Sequence, residues 1–171
     1  MTMKELERCI EVYGEDIYTF CLWLAKSREH ADDLYQDTFL TAIEVIDRID
    51  SEENIKSYLL SISIRLWKNR KRKWAWRNRI APTVEMTDDF QVDLAYEEKD
   101  WILDGEKSAV LKSAIAKLPE KYRVIILLYY MEEVSQDRIA VILHIPVGTV
   151  KSRLYAARKL LKSELEEYFY E

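Results

Sequence analysis

Two stretches of this chain concentrate side chains able to bind a polyanion. From Val147 to Lys162 the sequence VGTVKSRLYAARKLLK carries Lys151, Arg153, Arg158, Lys159 and Lys162 and no acid. Earlier, Arg65, Lys68, Arg70, Lys71, Arg72, Lys73, Arg77 and Arg79 follow one another without an acid, with Trp67, Trp74 and Trp76 interleaved. Ammonium and guanidinium groups pair with phosphates, and flat aromatic rings stack on unpaired bases. Side chains for catalysis are sparse by comparison. His30 and His144 are the only histidines, and neither has a Cys, Ser or Asp partner at motif spacing. Cys9 and Cys21 are the only cysteines, and no CxxC, HExxH or glycine-rich phosphate loop occurs. The expectation is a binding protein rather than an enzyme, with no cofactor, no metal and no small-molecule substrate.

The Val147–Lys162 stretch needs a particular scaffold. Ser135 has the chemistry of a helix N-cap, and Ile139, Ala140, Ile142 and Leu143 follow at helical spacing. The pattern breaks at His144-Ile145-Pro146, because proline is tolerated at a helix start but not inside one. A second run then sets Val150, Leu154, Ala157, Leu160 and Leu161 on one face and Thr149, Lys151, Ser152, Arg153, Tyr155, Arg158 and Lys159 on the other. A short helix, a tight corner and a cationic second helix make a helix-turn-helix, whose second helix enters the DNA major groove. The alternative is an amphipathic helix with a solvated basic face.

The earlier basic stretch falls in the second half of a helix from Ile55 to about Arg77, with Ile55, Tyr58, Leu59, Ile62, Leu66 and Trp67 as its apolar face. Its charges suit a nucleic acid; a membrane surface is the other polyanion. Two helices precede it, over 3–26 and 27–48. The first has Leu6, Ile10, Tyr13, Ile17, Phe20 and Leu24 as its core stripe. The second has Ala31, Leu34, Tyr35, Thr38, Phe39, Ala42, Ile43 and Ile46. The polar remainder of the second helix, from Asp32 to Asp47, is either a solvated face or a docking face for a basic partner. Helices also fit Ser108–Leu118 and Glu120–Met131.

Charge is distributed in blocks. Residues 1–60 hold 6 bases and 14 acids, residues 61–82 hold 8 bases and no acid, and residues 83–107 hold 2 bases and 9 acids. A net charge of -5 therefore conceals local basic patches, which bind nucleic acid whatever the total. With three Gly, three Pro and no β-branched alternation, the fold class is all-α, in two small helical domains over 1–80 and 108–171. Residues 81–107 between them read as an acidic linker, either a tether or a segment that lies in a partner's channel. The longest apolar run, Val124–Met131, is eight residues, where a membrane span needs about 20. The acids in Met-Thr-Met-Lys-Glu-Leu-Glu do not suit a signal peptide, and two cysteines do not make a disulfide framework. A cytoplasmic location is expected.

With these motifs in place, the chain resembles the extracytoplasmic-function (ECF) sigma factors, the smallest members of the sigma-70 family of bacterial transcription initiation factors. ADDLYQDTFLTA (Ala31–Ala42) is similar to the family's region 2 motif. The stretch from Leu118 to Leu161, PVGTVKSRL above all, is similar to region 4. The resemblance implies that Asp33, Gln36, Asp37 and Phe39 lie on or under a helix that docks the β′ clamp helices of core RNA polymerase. It implies that Ile46–Ile55, with Ile46, Asp47, Arg48 and Ile49, form the loop that captures a base flipped from the promoter -10 element. Arg65, Lys68, Arg72 and Trp74 would hold that element and the opened strand. Thr149, Lys151, Ser152, Arg153, Tyr155 and Arg158 would read the -35 element, with Arg153 and Arg158 near DNA or in local packing. Leu118–Met131 would meet the β-flap, the acidic linker would thread toward the polymerase active-site and RNA-exit channel, and an anti-sigma factor would occlude the polymerase-binding faces.

Four positions depart from the family pattern. Arg65 stands where Asn is frequent, Ala156 where many members carry a DNA-contacting Arg, Gln136-Asp137-Arg138 for Tyr-Glu-Glu, and His144 for a turn Gly. A helix-turn-helix of intact shape with its own -35 preference is expected. Three rivals remain: a dimeric helix-turn-helix regulator, which leaves Ala31–Ala42 unexplained; a small helical enzyme, which lacks a site; and an adaptor for anionic lipid.

Overall fold

The computed structural model describes residues 1–52, 54–80 and 106–169, and every regular element among the described residues is helical. The chain divides into two compact units. The acidic linker of residues 81–107 falls almost wholly outside the described residues.

The N-terminal unit is three mutually packed helices, α1 (Met3–Ala25), α2 (Arg28–Glu44) and α3 (Ile55–Ile80). A reciprocal cap starts α1: the Glu5 N–H donates to the Thr2 hydroxyl at 3.2 Å and the Thr2 N–H to the Glu5 carboxylate at 2.7 Å. Those hydrogen bonds hold the Glu5 carboxyl below its usual pKa. The chain reverses at Lys26, in a left-handed conformation with φ 54°, and Ser27 caps α2 by accepting the His30 N–H. Leu6, Ile17, Phe20 and Leu24 of α1 close on Leu34 of α2 and on Leu59 and Leu60 of α3, all essentially without solvent exposure. Each such side chain contributes roughly 1.5–3 kcal/mol by leaving water.

Two local features explain residues that look out of place in the sequence. Gly14 lies inside α1 because a Cβ there would come within 3.0 Å of the Tyr35 hydroxyl. Thr38 and Ser63 are buried, with hydroxyls in reach of the carbonyls four residues back, Leu34 at 2.7 Å and Leu59 at 3.0 Å, and of each other at 3.0 Å. One hydroxyl donates to its own helix's carbonyl and the other donates across to it, joining α2 to α3.

Several expectations are corrected. The second helix does not run through 48: α2 ends at Glu44, and a 3-10 turn over Ile46–Arg48 follows. The β-branched residues Ile43, Val45 and Ile46 weaken helix propensity there. The Arg48 and Ile49 N–H groups bond three residues back, to Val45 and Ile46. Ile10 and Ile43, expected in the core stripes, are exposed, because the three-helix interface covers a narrower strip of each helix than the apolar pattern spans.

The C-terminal unit comprises α4 (Glu106–Lys117), α5 (Glu120–Ile126), α6 (Gln136–Leu143) and α7 (Val147–Phe169). The Pro119 carbonyl accepts the Tyr122 and Arg123 N–H groups at 2.9 Å, which starts α5. Val124 to Leu128 are all buried, as their unbroken apolarity requires. The expected Glu120–Met131 helix is completed by a π turn, Leu127–Met131, closed by the Glu132 N–H on the Leu127 carbonyl at 3.0 Å. Ser135 caps α6 by accepting the Arg138 N–H at 3.2 Å. His144 takes the left-handed conformation at φ 55°, ψ 44°. The His144 N–H donates to Val141 and the Ile145 N–H to Ala140, the two-bond pattern that ends a helix sharply. On α7, Val150, Leu154 and Ala157 are buried; Leu160, expected beside them, is exposed, since it lies about 100° around the helix from Leu161.

Candidate nucleic-acid interface

The phase of α3 divides its aromatic and basic residues into two sets. Trp67, Arg70 and Trp74, three and four residues apart, face the bundle. Trp67 is buried, its ring edge-on to Trp74 at 5.5 Å, and Trp74 also packs on His30 of α2 at 4.9 Å. Arg70 is half-buried and pairs with Asp37. Arg65, Lys68, Arg72, Trp76 and Arg79 occupy the opposite side, and all five are exposed. Trp76, at 65% exposure, is the flat ring that this side of the helix offers to solvent. Trp74, expected to meet DNA, is half-buried in an aromatic stack that seats the second half of α3 on α2.

In the loop before α3, Asp47 and Arg48 are exposed and Ile46 is half-exposed. Ile49 is 4% exposed, so it anchors the loop in the core and is not open to a base. Asn54 caps α3 by accepting the Ser57 N–H at 3.1 Å.

On α7 the core strip of Val150, Leu154 and Ala157 turns Lys151, Ser152 and Tyr155 to solvent. Tyr155 is 68% exposed. Ser152 donates to the Thr149 carbonyl at 3.0 Å, while Thr149 and Arg153 are half-buried at the rim. Arg158 is exposed but tethered: its guanidinium lies over the rings of Tyr129 and Tyr130, and its Nε donates to the Tyr130 hydroxyl at 2.5 Å. The helix thus presents donors and a ring in a row, without an acid before Glu164.

The outer side of α2 has a different character. Asp33 and Gln36 are exposed, and between them and Glu44 stands Leu40, 57% exposed. Asp37 lies at the edge of this face, turned to Arg70, and Phe39 is buried beneath it. Reading Leu40 as part of this surface requires its helical phase, which places it with Asp33 and Gln36 rather than with Leu34 and Thr38. Neither cysteine is set up as a nucleophile: burial drives the Cys21 thiol to about 12 and raises that of Cys9.

Known proteins share both units. Residues 9–77 match the family described as Sigma-70 region 2, and residues 108–161 the family described as Sigma-70, region 4. The chain is 32% identical to the ECF RNA polymerase sigma factor SigW of Bacillus subtilis, over 92% of this chain and 87% of that one. It is 28% identical to the RNA polymerase sigma factor SigV of the same species, over 96% and 93%. The chain belongs to the ECF sigma factors. The fold of this sigma factor is also that of RpoE from Bartonella quintana, solved in complex with the anti-sigma factor NepR. The TM-score is 0.77 at 23% identity, covering 96% of this chain and 98% of RpoE. CnrH, solved with the cytosolic domain of CnrY, superposes with a TM-score of 0.66 at 18% identity, covering 97% of this chain and 90% of CnrH. The region 2 match covers most of α1 together with α2 and the basic part of α3. The region 4 match runs from α4 to Leu161 of α7, so the exposed basic faces, apart from Arg79, fall within the two matched regions. As an ECF sigma factor it is a transcription initiation factor, in a family that is not enzymatic.

Proposed function

We propose that this sigma factor docks on core RNA polymerase through Asp33, Gln36 and Leu40 on the outer face of α2, over Phe39. It reads a -10 element with Ile46, Asp47 and Arg48 and with Arg65, Lys68, Arg72 and Trp76 of α3. It reads a -35 element with Thr149, Lys151, Ser152, Arg153, Tyr155 and Arg158 of α7. The carrying observation is that α3 and α7, in separate units, each turn an acid-free basic face with one exposed ring to solvent, while α2 turns out acid and apolar groups. Phosphates pair with the first kind of surface, and a basic protein partner with an apolar patch suits the second. Opening DNA costs a few kcal/mol per base, and stacking on Trp76 with phosphate pairing on Arg65, Lys68 and Arg72 offsets it.

The remaining assignments follow from charge and kinship. Residues 83–107, with nine acids, suit a basic polymerase channel, and the Leu118–Met131 stretch suits the β-flap. An anti-sigma factor covering the outer face of α2 would hold the protein inactive; RpoE, of the same fold, is solved in complex with an anti-sigma factor, NepR. The site of action is the cytoplasm, and no described helix is long and apolar enough to cross a membrane.

The test separates the two kinds of surface. Asp33→Arg with Leu40→Ala should abolish competition for core polymerase while leaving the fold intact. Lys151→Ala with Ser152→Ala should leave core binding unchanged and weaken -35-dependent initiation by roughly 1–3 kcal/mol for each base interaction removed. Asp37→Arg is a poorer probe because it also sets two cations together at Arg70. Equal impairment of core binding in both variants would contradict this division.

A further inference from the structure

Tyr129 and Tyr130 are consecutive, yet both rings flank one side chain of another helix. Arg158 has its guanidinium carbon 5.7 Å from the centre of the Tyr129 ring and 5.5 Å from that of Tyr130. The two rings stand edge-to-face at 4.9 Å. The Arg158 Nε donates to the Tyr130 hydroxyl, using one guanidinium donor and leaving the two terminal amino groups. This arrangement depends on the π turn over Leu127–Met131. Its wider loop carries Tyr130 out to the surface, half exposed, while Leu127 and Leu128 stay in the core. Extra-residue turns of this kind are frequent at functional sites.

Arg158 stands on the same side of α7 as Lys151 and Tyr155, seven and three residues before it. An unrestrained arginine has many rotamers to give up on meeting a phosphate. One already held by a ring face and a hydrogen bond has given up most of them. We infer that Tyr130, with Tyr129 behind it, is a positioning residue that fixes Arg158 in advance for a phosphate of the -35 DNA. This rests on α7 being the -35 reader, as proposed above.

The test uses the full-length protein with core RNA polymerase and a promoter fragment on which it initiates, separating initial binding from the later opening step. Tyr130→Phe keeps the ring and removes the hydroxyl; Arg158→Ala removes the side chain being positioned. Arg158→Ala should weaken initial binding about tenfold and reduce the slope of log affinity against log salt by about 1, the signature of removing one phosphate interaction. Tyr130→Phe should weaken initial binding about three- to fivefold with the melting temperature and the opening rate unchanged. In the double variant, Tyr130→Phe should add nothing to Arg158→Ala. A Tyr130→Phe effect that persists in the Arg158→Ala background, or no effect at all while Arg158→Ala is impaired, overturns the positioning role. An Arg158→Ala variant with unchanged salt dependence and unchanged binding would likewise overturn it, whereas unchanged binding in Lys151→Ala with Ser152→Ala would contradict the placing of α7 on DNA.

Discussion

Trp74 and Trp76 are two residues apart on one helix and have opposite surroundings. The first stacks on Trp67 and His30; the second stands among Arg65, Lys68 and Arg72 in solvent. Composition alone groups them, because a tryptophan in a basic run reads as a base stacker wherever it stands. The signal that separates them is the seven-residue spacing from Trp67 to Trp74: it puts both on one face, and the face holding Trp67 is buried. Different effects are expected on truncation. Trp74→Ala should cost about 1–3 kcal/mol of stability in urea unfolding, less than a fully buried tryptophan because its ring is half covered. Trp76→Ala should leave stability within about 0.5 kcal/mol and slow promoter opening, since stacking contributes about 1–3 kcal/mol per base. Permanganate reactivity of the opened strand reads the second effect; a Trp76→Ala protein that opens DNA as the parent does would remove that residue from the site.

Among the elements, the helix-turn-helix is the most legible in sequence, because its limits are written in local chemistry. Ser135 can cap, Pro146 can only precede a helix, and the acid-free run from Val147 leaves one face for the core. The π turn has no comparable signal: Val124–Met131 is apolar nearly throughout, and neither spacing nor capping marks where the winding loosens. The break at Glu44 is hidden for a related reason, since Ile46 continues the apolar rhythm past the point where the backbone leaves the helix. The corner itself carries a measurable strain. His144 is exposed and adopts φ 55°, a conformation that favours glycine. His144→Gly should therefore raise stability by a few tenths to about 1 kcal/mol, the relief of the left-handed conformation exceeding the added entropy of the unfolded chain. His144→Val should lower it by about 1 kcal/mol or more, because a β-branched side chain tolerates that region worst. Thermal unfolding of the three proteins gives the order; a less stable glycine variant would mean that the imidazole holds the corner in some other way.

For the whole molecule, the charge blocks anticipate what no single motif could. A net charge of -5 sits on a chain whose two basic faces belong to two separate units and whose acids gather in residues 1–60 and in residues 83–107. The exposure of Leu40 is legible only through its helical phase, and the Asp37–Arg70 pair is not legible, because it depends on how α2 and α3 face each other. That pair also ties the edge of the outer face of α2 to the helix that carries the basic face of α3, so the two surfaces of this unit share one support. In the proposed arrangement, two modest DNA readers held on one polymerase would reach an affinity neither has alone, through the effective concentration each gives the other. The most direct test is run-off transcription with purified core RNA polymerase and this sigma factor on a pool of genomic fragments. Discrete transcripts are expected whose templates share two short elements at a fixed spacing, and substitution in either element should lower the yield. Absence of any promoter-specific transcript, together with failure to compete for core polymerase, would contradict the assignment of these faces.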